Sequence, residues 1–193
     1  GAVRSIATFT TADGKPRVVT LGRGRFVRIW DADSGRRLRR LPMSGASVHL
    51  ATFVSSTGSP RLAVLTADQE IHVWDPVAGN QIDELRVAEA DMGSRLVAWN
   101  TTSGHPRIAV TCGDAGIRII DPEAGTQDGL VLMGHEVAVV DLATWFTPGG
   151  QPRLASSGDG VTLLWDPETG RNLGQLTGPD EWLNSITAHT SPE

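Results

Sequence analysis

Few side chains in this 193-residue chain are of types that could do chemistry: five histidines, one cysteine and a set of turn aspartates. His135, Ser156 and Asp159 supply the base, hydroxyl and carboxylate types of a hydrolytic triad. His49, His72, His105, His135 and His189 fall at unrelated spacings. They lack the short ligand spacing of a zinc site, so no metal is expected. The turn DADSG at 31–35 alternates two aspartates but lacks the further oxygen ligands of a calcium loop. Cys112 ends an apolar run and reads as a small hydrophobe rather than a reactive thiol. No phosphate-binding loop or kinase signature occurs, and no cofactor is expected.

Charge is unevenly spread. The net charge is −5, yet residues 1–44 carry +7 and residues 45–193 carry −12. Residues 23–40 read RGRFVRIWDADSGRRLRR. Such a stretch could meet an anionic partner. Arg36, Arg37, Arg39 and Arg40 are read instead as charge on an outer edge strand, which blocks unwanted pairing. Nucleic acid is not expected, because the chain is acidic overall and has a single lysine.

The elements that must position these residues repeat. Pro-Arg recurs at Pro16-Arg17, Pro60-Arg61, Pro106-Arg107 and Pro152-Arg153. A Trp-Asp or Ile-Asp pair recurs at Trp30-Asp31, Trp74-Asp75, Ile120-Asp121 and Trp165-Asp166. Both periods are about 45 residues, the sign of a repeat architecture. Each unit offers four short runs rich in Val, Ile and Leu, bounded by Gly, Pro, Asn or Asp. None holds a helical period long enough for an amphipathic helix. Four antiparallel strands per repeat describe a propeller blade. No apolar run approaches the roughly 18 residues of a membrane span, so no membrane is expected. With one cysteine and a start, GAVRSIATF, without a secretory pattern, a cytoplasmic setting is expected.

With Gly134-His135, Asp159-Gly160 and Trp165-Asp166 at this spacing, the sequence resembles the WD40 repeat family, in a bacterial-type array. The fold class expected is all-β: four four-stranded antiparallel blades and the inner strand of a fifth. The chain is then a single propeller segment, 1–193. Its repeats are about 2–45, 46–91, 92–137 and 138–181, with a partial fifth at 182–193. The length suggests a partial propeller or one completed by oligomerisation.

The resemblance implies a structural hydrogen-bonded tetrad in place of a triad: His135, Ser156, Asp159 and Trp165. A turn one residue shorter in repeat four leaves the register of Ser156 open. Repeat two has Val64 at the hydroxyl position, repeat three has Val110 and Ile120, and repeat one keeps Thr20 and Trp30.

The resemblance also implies a non-enzymatic scaffold for a protein or peptide partner, as the sensor or interaction part of a larger protein. The expected face holds Arg23, Arg25, Asp68, Glu70, Asp114 and Trp182, in or beside strand-connecting turns. Two alternatives stand. One is a half propeller that closes a ring by head-to-tail dimerisation, its basic head meeting its acidic tail. The other is an enzyme with a central-channel site. Further blades of the same parent chain would equally complete the ring.

Overall fold

The computed structural model describes residues 2–22, 24–88, 90, 93–113, 115–124, 129–158, 160–177 and 185–188. Contacts divide the chain into two compact units, Gly1–Met92 and Gly93–Glu193. In the first unit, blade one is β1 (Val3–Thr10), β2 (Pro16–Gly22), β3 (Phe26–Asp31) and β4 (Arg37–Pro42). Blade two is β5 (Ser47–Val54), β6 (Pro60–Thr66), β7 (Glu70–Asp75) and β8 (Asn80–Arg86). In the second unit, blade three is β9 (Leu96–Asn100), β10 (Pro106–Thr111), β11 (Ile117–Ile120) and β12 (Leu130–Leu132). Blade four is β13 (Asp141–Phe146), β14 (Pro152–Gly158), β15 (Val161–Asp166) and β16 (Arg171–Thr177). Every sheet runs in chain order with antiparallel neighbours, as the repeat predicted.

The two landmarks that set the repeat are one cross-strand device. Arg17 lies directly opposite Asp31 on β2 and β3, and Arg17 Nη1 reaches Asp31 Oδ2 at 2.6 Å. Arg61 and Asp75 approach to 3.5 Å, and Arg107 and Asp121 to 2.7 Å. Each arginine also donates to the carbonyl of the proline before it, at 2.8–2.9 Å in all four blades. In blade four, Arg153 takes Gln151 Oε1 as its side-chain acceptor, at 2.9 Å.

The other oxygen of the same aspartates shapes the next turn. Asp75 Oδ1 accepts from Val77 N and Ala78 N, and Asp166 Oδ1 from Glu168 N and Thr169 N. Asp31 Oδ1 accepts from Ser34 N and Oγ. A glycine closes three of these turns, its N–H on the aspartate carbonyl: Gly35, Gly79 and Gly170, at φ 66°, 85° and 77°. That left-handed backbone is why the DxxxG spacing ends in glycine.

Strand alternation builds the cores. In the first unit, Val19, Leu21, Val27, Ile29 and Leu41 of blade one pack on Leu50, Leu62, Val64 and Trp74 of blade two. In the second unit, Trp99, Ala109, Ile117 and Ile119 of blade three pack on Leu142, Leu154, Leu163 and Trp165 of blade four. Burying each such large apolar side chain contributes roughly 1.5–3 kcal/mol. The outermost strands β4 and β8 bury one residue each, Leu41 and Leu85, and carry charge elsewhere.

At two places a side chain also ties one inner strand to the segment that follows at the next repeat position. Leu50 N donates to Ser5 Oγ at 3.3 Å, from blade two to blade one. At the matching place beyond blade four, Ile186 N and Ser185 Oγ donate to Asp141 Oδ2 at 2.9 and 2.8 Å. Residues 185–188 thus meet blade four as β5 meets blade one, although they carry no strand assignment.

Candidate functional site

The polar residues of the repeat fall into two sets, one inside the blades and one at the turns. Inside, the register is constant. Val18, Leu62, Ile108 and Leu154 lie directly across from Trp30, Trp74, Ile120 and Trp165. Two residues further on, facing the same way, stand Thr20, Val64, Val110 and Ser156. The shorter turn of repeat four therefore leaves Ser156 in register, since the residue is lost from the turn and not from the strand.

In blade four the Trp165 indole donates to Ser156 Oγ at 2.8 Å, and His135 Nε2 lies 2.7 Å from the same oxygen. Gly134 lets the loop come this close: a Cβ there would stand 3.2 Å from the Trp165 ring and 3.3 Å from Leu163. Burial pushes the half-buried His135 below the ordinary histidine value of 6.5, with the Ser156 contact opposing it. Asp159 lies outside the described residues. Ser156 is 0% exposed and bonded on both sides, which leaves its hydroxyl no approach for a substrate.

The other blades vary this theme. In blade one Trp30 donates to Thr20 Oγ1 at 2.8 Å. Blade three has replaced both members with apolar residues, Val110 and Ile120, both buried. Blade two keeps the indole and loses the hydroxyl. Trp74 Nε1 is buried with no hydrogen-bond partner among the described residues.

At the turns, Arg25 is exposed between β2 and β3, and its carbonyl accepts Met43 N at 3.0 Å. Between β6 and β7, Asp68 and Gln69 are exposed on a turn held from both sides. Ala67 N donates to Ala46 O at 2.8 Å, and Val87 N donates to Gln69 O at 2.7 Å. Gln69 sits at φ 66°, where blade three has Ala115 at 63° and blade four has Gly160 at 73°. Asp68 presses against Gly45, where a Cβ would meet its carboxylate. Glu70 does not lie in this turn, because the ladder begins at it: it opens β7, half-buried. Arg23, Asp114 and Trp182 lie outside the described residues.

Two features escaped the sequence reading. Arg39, read as a solvated edge residue, donates from Nη2 to Val77 O of blade two at 2.9 Å, and Arg40 stacks 3.8 Å over the Phe26 ring. Between blades one and two, a cavity of about 740 Å³ is lined by Phe9, Arg17, Arg39, Arg61, Asp75 and Val77. The Arg39 bond and the cavity arise from contacts between repeats, and the Arg40–Phe26 stack from the pairing of β3 with β4, none of which the spacing of the landmarks reveals.

No protein-family model matches the sequence, and no curated protein matches it. Among solved structures, the chain is similar to U3-55K and to the WD40 repeats of RRP9. Each comparison has a TM-score of 0.71 at 21% identity and covers 92% of this chain. It covers 50% and 49% of those two chains, so this chain spans about half their length. The fold is that of WD40 propeller blades: all-β, with four-stranded antiparallel sheets.

Proposed function

We propose that the chain is a non-enzymatic scaffold whose strand-connecting turns bind a protein or peptide, and that it serves as the interaction part of a larger protein. The observation that carries this reading is the β6–β7 turn. Its exposed Asp68 and Gln69 are held by backbone bonds on both sides, with a non-glycine residue kept at positive φ. A rigid scaffold presenting a fixed polar loop is the arrangement binding surfaces favour. Inside the blades, by contrast, Arg–Asp pairs, aspartate-capped turns and indole–hydroxyl bonds engage polar groups structurally. Arg25 at the matching turn of blade one gives that face both signs of charge.

The test is a peptide-array screen against the folded chain. Hits are then measured against Asp68→Ala and Arg25→Ala. Affinity should fall at least several-fold in one or both. Unchanged binding would remove these turns from the site, and turnover of a hydrolase substrate panel would overturn the scaffold reading.

A second reading, a head-to-tail pair of chains, is supported by the apolar exposure of blade one. Val3 and Ile6 are 61% and 65% exposed, and Ile6 shares the face of half-buried Trp30. Native mass at micromolar concentration should then be near twice the chain mass and fall as salt rises. A monomer would refute it.

A further inference from the structure

Glu70, His72 and Glu84 form the one group among the described residues whose side chains could hold a metal ion together. Glu70 and His72 are two apart on β7, so they share a face. Glu84 on β8 lies directly across from His72. Each offers a ligand atom within 4.8 Å of the others. His72 Nδ1 is 3.3 Å from Glu84 Oε2, and Nε2 is 3.5 Å from Glu70 Oε2.

The histidine itself provides the second observation. Its side chain is 5% exposed, and Nε2 is buried with no hydrogen-bond partner among the described residues, although it faces the Glu70 carboxylate. A buried ring nitrogen left unbonded beside a carboxylate is costly unless something joins the two. A ring proton directed at Glu70 would do so, and so would a cation coordinated by both.

The repeat supplies a third argument. If this trio served the blade as such, other blades would keep it. The corresponding residues are Phe26, Arg28 and Arg40 in blade one, Gly116, Arg118 and Val131 in blade three, and Val161, Leu163 and Gln175 in blade four. Two carboxylates and an imidazole occur together only in blade two of the four.

We infer that Glu70, His72 and Glu84 form a binding site for a divalent transition-metal ion of the zinc class. Zinc takes imidazole nitrogen and carboxylate oxygen at about 2.0–2.2 Å, with water free to complete four-coordination. Tetrahedral ligand atoms then lie roughly 3.3–3.5 Å apart. Closing the present spread takes a rotation of exposed Glu84 from the Nδ1 side of the ring toward Glu70, which gives up the 3.3 Å bond that its Oε2 accepts from Gln81 Nε2. Exposed Arg86 lies across from Glu70 and sets an opposing charge at the rim. The ion would fasten β7 to β8 just behind the Asp68–Gln69 turn.

Zinc alone is the probe, titrated calorimetrically into the full chain at neutral pH. The expected result is one ion per chain. Glu84→Gln, at an exposed position, should weaken binding at least about tenfold, since even outer partners of metal ligands are worth 10–100-fold. His72→Gln should do the same if it folds, and Glu84→Gln decides the matter if it does not. His105→Gln, a surface control, should bind as the parent does. No binding by the parent, full binding by Glu84→Gln, or loss in His105→Gln would each overturn the assignment.

Discussion

Blades two and four share strand order, register and a buried tryptophan, and differ in the side chain beneath the indole. In blade four Ser156 accepts from Trp165 and meets His135. In blade two Val64 stands there, and Trp74 Nε1 has no partner among the described residues. Both tryptophans are buried, at 2% and 6% exposed. The fold therefore does not require the polar chain. Packing of the tryptophan face forms the blade, and the hydroxyl settles one donor whose desolvation would otherwise go uncompensated.

Substitutions at the hydroxyl position test that contrast. Ser156→Ala strips the acceptor from Trp165 and the hydrogen-bond partner from His135, and should destabilise by about 2–4 kcal/mol in urea unfolding followed by tryptophan fluorescence. A loss under half of one kcal/mol would show that blade four tolerates the orphan as blade two does. Val110→Thr puts a hydroxyl where blade three has buried Ile120 in place of the indole, and should cost about 1–3 kcal/mol. Thr20→Ala removes the acceptor from Trp30, which is only half-buried and can turn to water, so about 1 kcal/mol is expected. Val64→Thr should reverse the sign. It gives Trp74 an acceptor and should stabilise by up to about 1 kcal/mol. If it destabilises as much as Val110→Thr, the Trp74 indole was not in want of a partner.

The smallest effect is in pH. Burial lowers the folded-state value of His135, so the folded chain resists protonation there more than the unfolded chain does. The associated stability is fully present above 6.5, the ordinary value, and is lost as pH falls through the lowered folded one. Unfolding free energy measured between pH 8 and 5 should decline on the acid side. His135→Gln should flatten that decline, and an unchanged slope would assign it to other groups.

Much of the fold was legible because the repeat is written in residues that pair with each other. Pro-Arg and Trp-Asp recur at one spacing since β2 and β3, and their counterparts, set the arginine opposite the aspartate. The glycine of three aspartate turns, Gly35, Gly79 and Gly170, was legible because the turn needs positive φ there. The interior polar chain was partly legible: residue types named Ser156 and Trp165, but one missing turn residue left their register open until the ladder fixed it. Arg39 lies exposed on the outer strand as read, but its bond to Val77 O was not legible because that acceptor belongs to the next blade. Glu70, His72 and Glu84 were missed for a related reason. Glu84 is distant along the chain and joins the other two only across β7 and β8.

What the sequence determined alone is periodic: the strands, the turns between them, and the inner and outer faces. These follow from local propensity and side-chain alternation, which act over a few residues. What only the tertiary structure decided is which polar atoms are met and which are left. Val64 reads as an ordinary strand valine until Trp74 is seen above it, and His72 reads as an isolated histidine until β8 brings Glu84 across from it. Satisfaction of a buried donor depends on partners in three dimensions, and no spacing along the chain encodes it by itself.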